Sequence, residues 1–179
     1  MSLPAAYQQL VYALDQLPSV GPKAAARLAQ FLLRNENGEL LLQALSKAKQ
    51  EIQLCQNCQN FSAAPLCELC LDNKRSSALL VVSSVDELND AEQAKWSGRY
   101  FVLHGLLSPV HGLGPKQLKL DVLAAQMKGY DSITLALEGS AEGRASAQFI
   151  SALAAQANIP CHYQPWQSWL EQQQKNRNS

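Results

Sequence analysis

Four cysteines, Cys55, Cys58, Cys67 and Cys70, form a CxxC array followed after eight residues by a second CxxC. Each CxxC pair can clasp one metal ion, and the intervening loop is long enough to fold back and complete a tetrahedron. The spacing predicts one structural Zn2+, because four thiolates leave no coordination position open to water or substrate. Two disulfides or an iron–sulfur centre are the alternatives. Met1-Ser2-Leu3-Pro4 leads into an amphipathic segment without the basic start and apolar core of a secretory leader. A reducing, cytoplasmic setting is therefore expected, and disulfides lose ground. The fifth cysteine, Cys161, stands apart and reads as a structural thiol.

A second chemical signal is Leu17-Pro18-Ser19-Val20-Gly21-Pro22-Lys23 between two helical patterns. Gly21 is expected to relax the backbone of a tight turn, so that amides at the start of the next helix face outward and favour a phosphate. Lys23 and Arg27 place charge beside those amides, and Arg34 falls on the same side. Such a grip holds phosphate and reads no bases. An ordinary helical hairpin with a solvated basic side is the competing reading. A third group, His104 and His111, flanks a loop rich in Gly and Pro, with Glu142 further on. No serine or cysteine nucleophile with an orienting third group is evident beside them, so they are read as contact residues.

These residues need elements to hold them. Ala6, Leu10, Val11, Leu14 and Leu17 keep helical spacing until Pro18. A second helix begins near Pro22, with Ala25, Leu28 and Leu32 on one side and the basic residues on the other. A third runs from about Gly38 to Ile52. After Lys74-Arg75-Ser76-Ser77 the pattern alternates: strands at 79–82, 99–103, 132–137 and 161–163, and helices near 86–95, 116–127 and 142–157. That alternation predicts an α/β fold with a mostly parallel sheet covered on both faces. Loops at the carboxyl ends of such strands are where these folds place their sites. The expected division is a helix-hairpin-helix module at 1–54, a zinc-binding loop at 55–77, an α/β domain at 78–165, and a short helix with a frayed tail at 166–179.

The chain has 179 residues, 47% of them hydrophobic, and zero formal net charge. Any nucleic-acid contact must rest on a local basic patch, because global charge offers no attraction. The longest apolar run, Ala78 to Val82, has strand length and is far short of a membrane span.

The order of the pieces is more specific than any one of them. The hairpin Leu17 to Lys23, the four-cysteine loop, the run Gly98 to Pro109 with Gly112-Leu113-Gly114-Pro115, and Ala141-Glu142-Gly143-Arg144-Ala145-Ser146 together closely resemble the RecR recombination mediator family. The resemblance spans about residues 5 to 160. It implies a Toprim-like α/β domain and a non-enzymatic role in recombinational DNA repair, in which ring-forming clamps join RecO-like and in some settings RecF-like proteins to load recombinase on single-stranded DNA. Lys23 and Arg27 match the hairpin positions through which that family grips DNA. Partner binding would fall to the loop surface with His104, His111 and Glu142, and the chain would form a homo-oligomer.

The chain also departs from the pattern of the family it resembles. Ser19 stands where such hairpins usually have their first glycine. Ser83 occupies a position where the family usually keeps a glutamate, and His111 replaces an aspartate. A hard cation wants oxygen ligands, so these changes argue against magnesium chemistry. Past Pro160 the family's glycine-rich segment is replaced by a run in which Trp166, Trp169 and Leu170 keep helical spacing, expected to cover the sheet edge or a subunit neighbour. The reading is a shortened, divergent RecR-type DNA tether. A protein-binding adaptor without DNA contact, or a small Toprim nuclease or primase, are the rivals.

Overall fold

The computed structural model describes residues 3–177. Met1 and Ser2, and Asn178 and Ser179 of the tail expected to fray, lie outside the described residues. Residues through Glu51 form one compact unit, and those from Ile52 onward form a second.

The first unit is three helices, α1 (Ala5–Asp15), α2 (Pro22–Arg34) and α3 (Asn37–Glu51). Pro22 opens α2 at a position where its missing amide costs nothing and its fixed φ suits the helix. Helix α1 packs on α2 around Ala25 and Ala29, both fully buried. Small side chains permit the close approach, and the Tyr7 hydroxyl donates across it to the Ala26 carbonyl at 3.5 Å. Leu28, expected on the buried face, is instead 38% exposed. Ala29, four residues after Ala25, takes the inward position because the closely packed helices leave no room for leucine there.

The second unit begins with the hairpin of β1 (Gln53–Leu54) and β2 (Phe61–Ser62), followed by the single turn α4 (Glu68–Leu71). Four parallel strands then form the sheet: β3 (Ala78–Val82), β4 (Arg99–Val102), β5 (Ser132–Leu137) and β6 (Cys161–Pro165), in the order β4-β3-β5-β6. Their connections carry α5 (Val85–Gln93), α6 (Leu120–Gln126) and α7 (Ala141–Gln156). Helix α5 starts with a complete capping box, Ser84 accepting from the Glu87 amide while Glu87 reaches back. The expected helix near 116–127 begins only at Leu120. Lys119 adopts a left-handed φ of 53°, and the preceding residues form turns.

Side chains alternate between the two faces of the sheet, as the two-residue period of a strand requires. One face buries Leu79, Val81, Phe101, Ile133 and Leu135 against Leu120, Leu123, Ile150 and Ala154. The other buries Leu80, Val82, Tyr100, Val102 and Ala136 against Leu88, Ala91, Trp166 and Trp169. The two tryptophans belong to α8 (Trp166–Arg177), which runs through most of the segment expected to be frayed. Trp169 is 2% exposed, so the helix covers a sheet face, where an edge or a subunit neighbour had been expected. Burial of two large indoles supplies what the polar Gln-rich remainder cannot. Among the described residues no helix is long and apolar enough to cross a membrane.

Candidate metal centre, basic hairpin and strand-end cleft

The cysteine loop closes on itself through backbone bonds: the Cys55 amide donates to Asn60 at 2.7 Å, the Gln56 amide to Pro65 at 2.9 Å, and the Leu71 amide to Cys67 at 3.1 Å. All four Sγ atoms thereby come within 4.8 Å of one another. Cys55 and Cys70 sulfurs are 3.7 Å apart, and those of Cys58 and Cys67 are 3.4 Å apart. A tetrahedral zinc with bonds of about 2.3 Å separates its sulfurs by about 3.8 Å, so the cluster fits the ion. Cys55, Cys58 and Cys67 are buried and Cys70 half-buried. Hydrogen bonding to Cys70, then burial, pushes the Cys58 thiol up. Burial raises Cys67 to about 11, whereas the bond from Cys58 lowers Cys70 to about 5. Buried thiols that resist losing their protons on their own become thiolates once a divalent cation neutralises the charge.

The zinc loop is fastened to the sheet. Edge strand β4 donates its Val102 amide to the Cys58 carbonyl at 2.8 Å, and Arg99 Nη1 donates to the Cys70 carbonyl at 2.9 Å. From the side of α6, the Gln126 amide side chain donates to the Asn57 carbonyl at 2.9 Å. The loop thus covers a sheet edge that would otherwise present unpaired backbone groups.

In the helical unit, the turn before α2 is closed by the Val20 amide donating to Leu17 at 3.1 Å. The left-handed residue of this turn is Ser19, with φ 64°, while Gly21 is extended at φ −94°, ψ 173°. Gly21 therefore does not supply the conformational freedom expected of it. A Cβ on Gly21 would meet nothing within 4 Å, so the chain's own packing does not demand a glycine there. No side chain caps the first amides of α2. Lys23, Arg27 and Arg34 are exposed and lie within about 40° of one another round the helix. No acidic residue occurs from position 16 to 35 to oppose them.

At the carboxyl ends of β3, β4 and β5 lies a cleft of about 890 Å³. It brings together Ser83, His104, His111 and Glu142, which are scattered in sequence, with Asp86 and Glu138. His104 sits at φ 55° and Gly105 at φ 141°, turning the chain sharply out of the sheet. The His104 Nε2 is 2.6 Å from the Gln59 carbonyl; because that oxygen can only accept, Nε2 carries the proton. His111 Nδ1 lies 2.9 Å from the Ser108 hydroxyl. Ser83 donates from both its amide and its hydroxyl to Glu87 Oε2, at 2.6 and 2.7 Å. Burial, outweighing these bonds, raises Glu87 above the usual carboxylate range. Phe61, absent from the sequence reading, enters the cleft from β2 with its ring 5.3 Å from that of His104. Its place four residues before Pro65 in the cysteine loop carries no signal that it faces a distant strand end. Cys161, half-buried, has its sulfur 3.7 Å from the Ser151 hydroxyl, and burial pushes the thiol up.

Comparison with known proteins agrees in order and position with these parts. The family model for the RecR helix-hairpin-helix matches residues 7–49, that for the RecR zinc finger domain with four cysteine ligands matches 52–72, and that for the Toprim domain matches 77–163. The chain is 41% identical over 165 residues to the recombination protein RecR of Hahella chejuensis, covering 89% of this chain and 82% of that one. It is 41% identical to the protein of the same name from Chromobacterium violaceum, over 86% of this chain and 80% of that one. The RecR of Desulfitobacterium hafniense is 34% identical, over 86% and 79%.

Proposed function

This chain belongs to the RecR family of recombination proteins, and from that premise we propose that it is a non-enzymatic DNA tether of the cytoplasm that helps load recombinase on single-stranded DNA. The observation that carries the reading is the opening of α2. Uncapped amides, a glycine with free space where a Cβ would stand, and three basic side chains on a stretch, 16 to 35, that carries no acidic residue together form a phosphate grip. Gly21 lets a phosphate approach the backbone, Lys23 and Arg27 neutralise it, and Arg34 extends the charged strip toward the next phosphate. The structural zinc holds the cysteine loop against β4 and takes no part in chemistry.

The strand-end cleft is assigned to a RecO-like partner and, in other assemblies, a RecF-like one. His104, His111 and Glu142 border it on separate elements, which suits a contact surface. Its first-strand position offers Ser83, whose hydroxyl is already committed to Glu87, where phosphoryl transfer needs a carboxylate free to hold magnesium. Self-association is supported by the exposed leucines of α3, Leu40, Leu41, Leu42 and Leu45, each more than half exposed.

Replacing Lys23 and Arg27 together by alanine tests the grip. Each lost phosphate contact lowers the salt slope of duplex binding by about 0.9, so the double variant should lose nearly two units of slope and weaken equally for every sequence. Unchanged affinity and slope would favour the adaptor without DNA contact.

A further inference from the structure

One exposed aromatic residue beside the phosphate grip has no role in it. Phe31 is 49% exposed on α2, four residues after Arg27 and three before Arg34. These three residues line a surface depression of about 350 Å³ with Gln30 and Asn35. Its polar members are held in place: the Gln30 amide donates to the Tyr7 hydroxyl at 3.4 Å, and the Asn35 amide to the Phe31 carbonyl at 2.7 Å. An aromatic ring and two guanidinium groups thus line one depression, with no carboxylate from position 16 to 35.

We propose that Phe31 is a stacking platform for an unpaired nucleobase, so that the helical unit holds single-stranded DNA by a base as well as by its phosphates. The proposal rests on the phosphate-grip reading. A ring face flanked by cations suits a strand that alternates flat π systems with negative charge, and stacking tolerates any base. Duplex DNA, whose bases are already stacked on each other, can use the arginines but not the ring. Phe31 is therefore a specificity residue, favouring single strands where the amides and charges alone are indifferent. The exposed leucines of α3 offer no such chemistry: they carry neither a π face nor flanking guanidinium groups, and they answer to an apolar partner.

The test uses the full chain and a short single-stranded oligonucleotide containing 2-aminopurine, beside the corresponding blunt duplex. Phe31→Ala and Phe31→Leu should each weaken single-strand binding about tenfold, the low-to-middle range for one stacked base, and change duplex binding less than twofold. The quenching of 2-aminopurine on binding should disappear in both, and Phe31→Tyr should retain it. Wild-type affinity in Phe31→Leu would overturn the proposal, since leucine keeps the apolar bulk and lacks the π face. So would equal losses on both DNA forms, or a fall in the molar mass of the assembly, which would place Phe31 in a contact between copies. Lys23→Ala with Arg27→Ala, measured alongside, separates the two readings: unchanged binding there defeats the phosphate grip, whereas the Phe31 variants report on stacking alone.

Discussion

Gly21→Ala sets stability and DNA affinity against each other. Its backbone, φ −94° and ψ 173°, is open to any residue, and an added Cβ meets nothing within 4 Å. Restricting the unfolded chain should stabilise by about 0.4–1 kcal/mol. Alanine is a poorer residue than glycine ahead of a helix, which costs a similar amount at roughly 0.5–1 kcal/mol. The two effects nearly cancel, so the melting temperature should stay within about 2 °C of wild type. A phosphate seated on the α2 amides would meet the new methyl group. Loss of a hydrogen bond to a charged group is worth about 1.5–3 kcal/mol, so affinity should fall at least tenfold. Ser19→Gly is the counterpart: relief of a left-handed serine, about 1–2 kcal/mol, outweighs the added chain entropy of about 0.5–1 kcal/mol. That variant should melt slightly higher and bind DNA as before. The measurements are thermal unfolding of the full chain and anisotropy titration with a labelled duplex. If Gly21→Ala melted far lower, the glycine would be structural; if it bound DNA unchanged, the phosphate contact at the α2 amides would be refuted.

Cys58→Ser should abolish bound zinc, read by elemental analysis of the purified chain; full metal content would exclude this cysteine as a ligand. In the same variant, amide exchange should quicken at Val102, whose N–H is held by the Cys58 carbonyl. Glu87 gives a pH signature. Its folded-state pKa lies above the unfolded one, so the stability it contributes is present below the unfolded value near 4.5 and declines as pH rises through the folded value. Glu87→Gln keeps an acceptor for Ser83 and Ser84 and should remove that decline; denaturant titrations showing the same pH slope in both proteins would count against it. Magnesium titration calorimetry should detect no tight binding at the strand-end cleft, and a nuclease assay no turnover that Glu142→Ala abolishes.

The sequence showed the zinc centre plainly because its ligands are local: two CxxC pairs within sixteen residues can be read from spacing alone. The parallel sheet was legible for a related reason, since each strand is a short apolar run bounded by turn residues. What escaped was long-range. Nothing in Cys58 or Val102 says that one carbonyl meets the other's amide across forty-four residues, and nothing in Phe61 says that its ring meets His104. The hairpin was misread in detail. Its left-handed conformation falls on Ser19, because the turn geometry outranks residue preference, and glycine at 21 drew attention to the wrong peptide. At the inward position four residues after Ala25 the larger neighbour Leu28 outweighs Ala29 in the sequence pattern, yet the small size of Ala29 is what lets α1 and α2 meet.

The chain's three tryptophans, Trp96, Trp166 and Trp169, sit in a single group. Trp166 and Trp169 stack with ring centres 5.3 Å apart, and Trp96 meets Trp169 edge-on at 5.8 Å. At these separations the indoles exchange excitation, and the protein emits as one lamp. That lamp burns in the second unit, within the same apolar cluster as the four zinc-binding cysteines. The helical unit has Tyr7 and Tyr12 but no tryptophan. Indole emission is therefore a private channel for the fate of the zinc-bearing unit, whereas helical dichroism sums the helices of both units, so a dichroic transition without its counterpart in emission would show the helical unit melting separately.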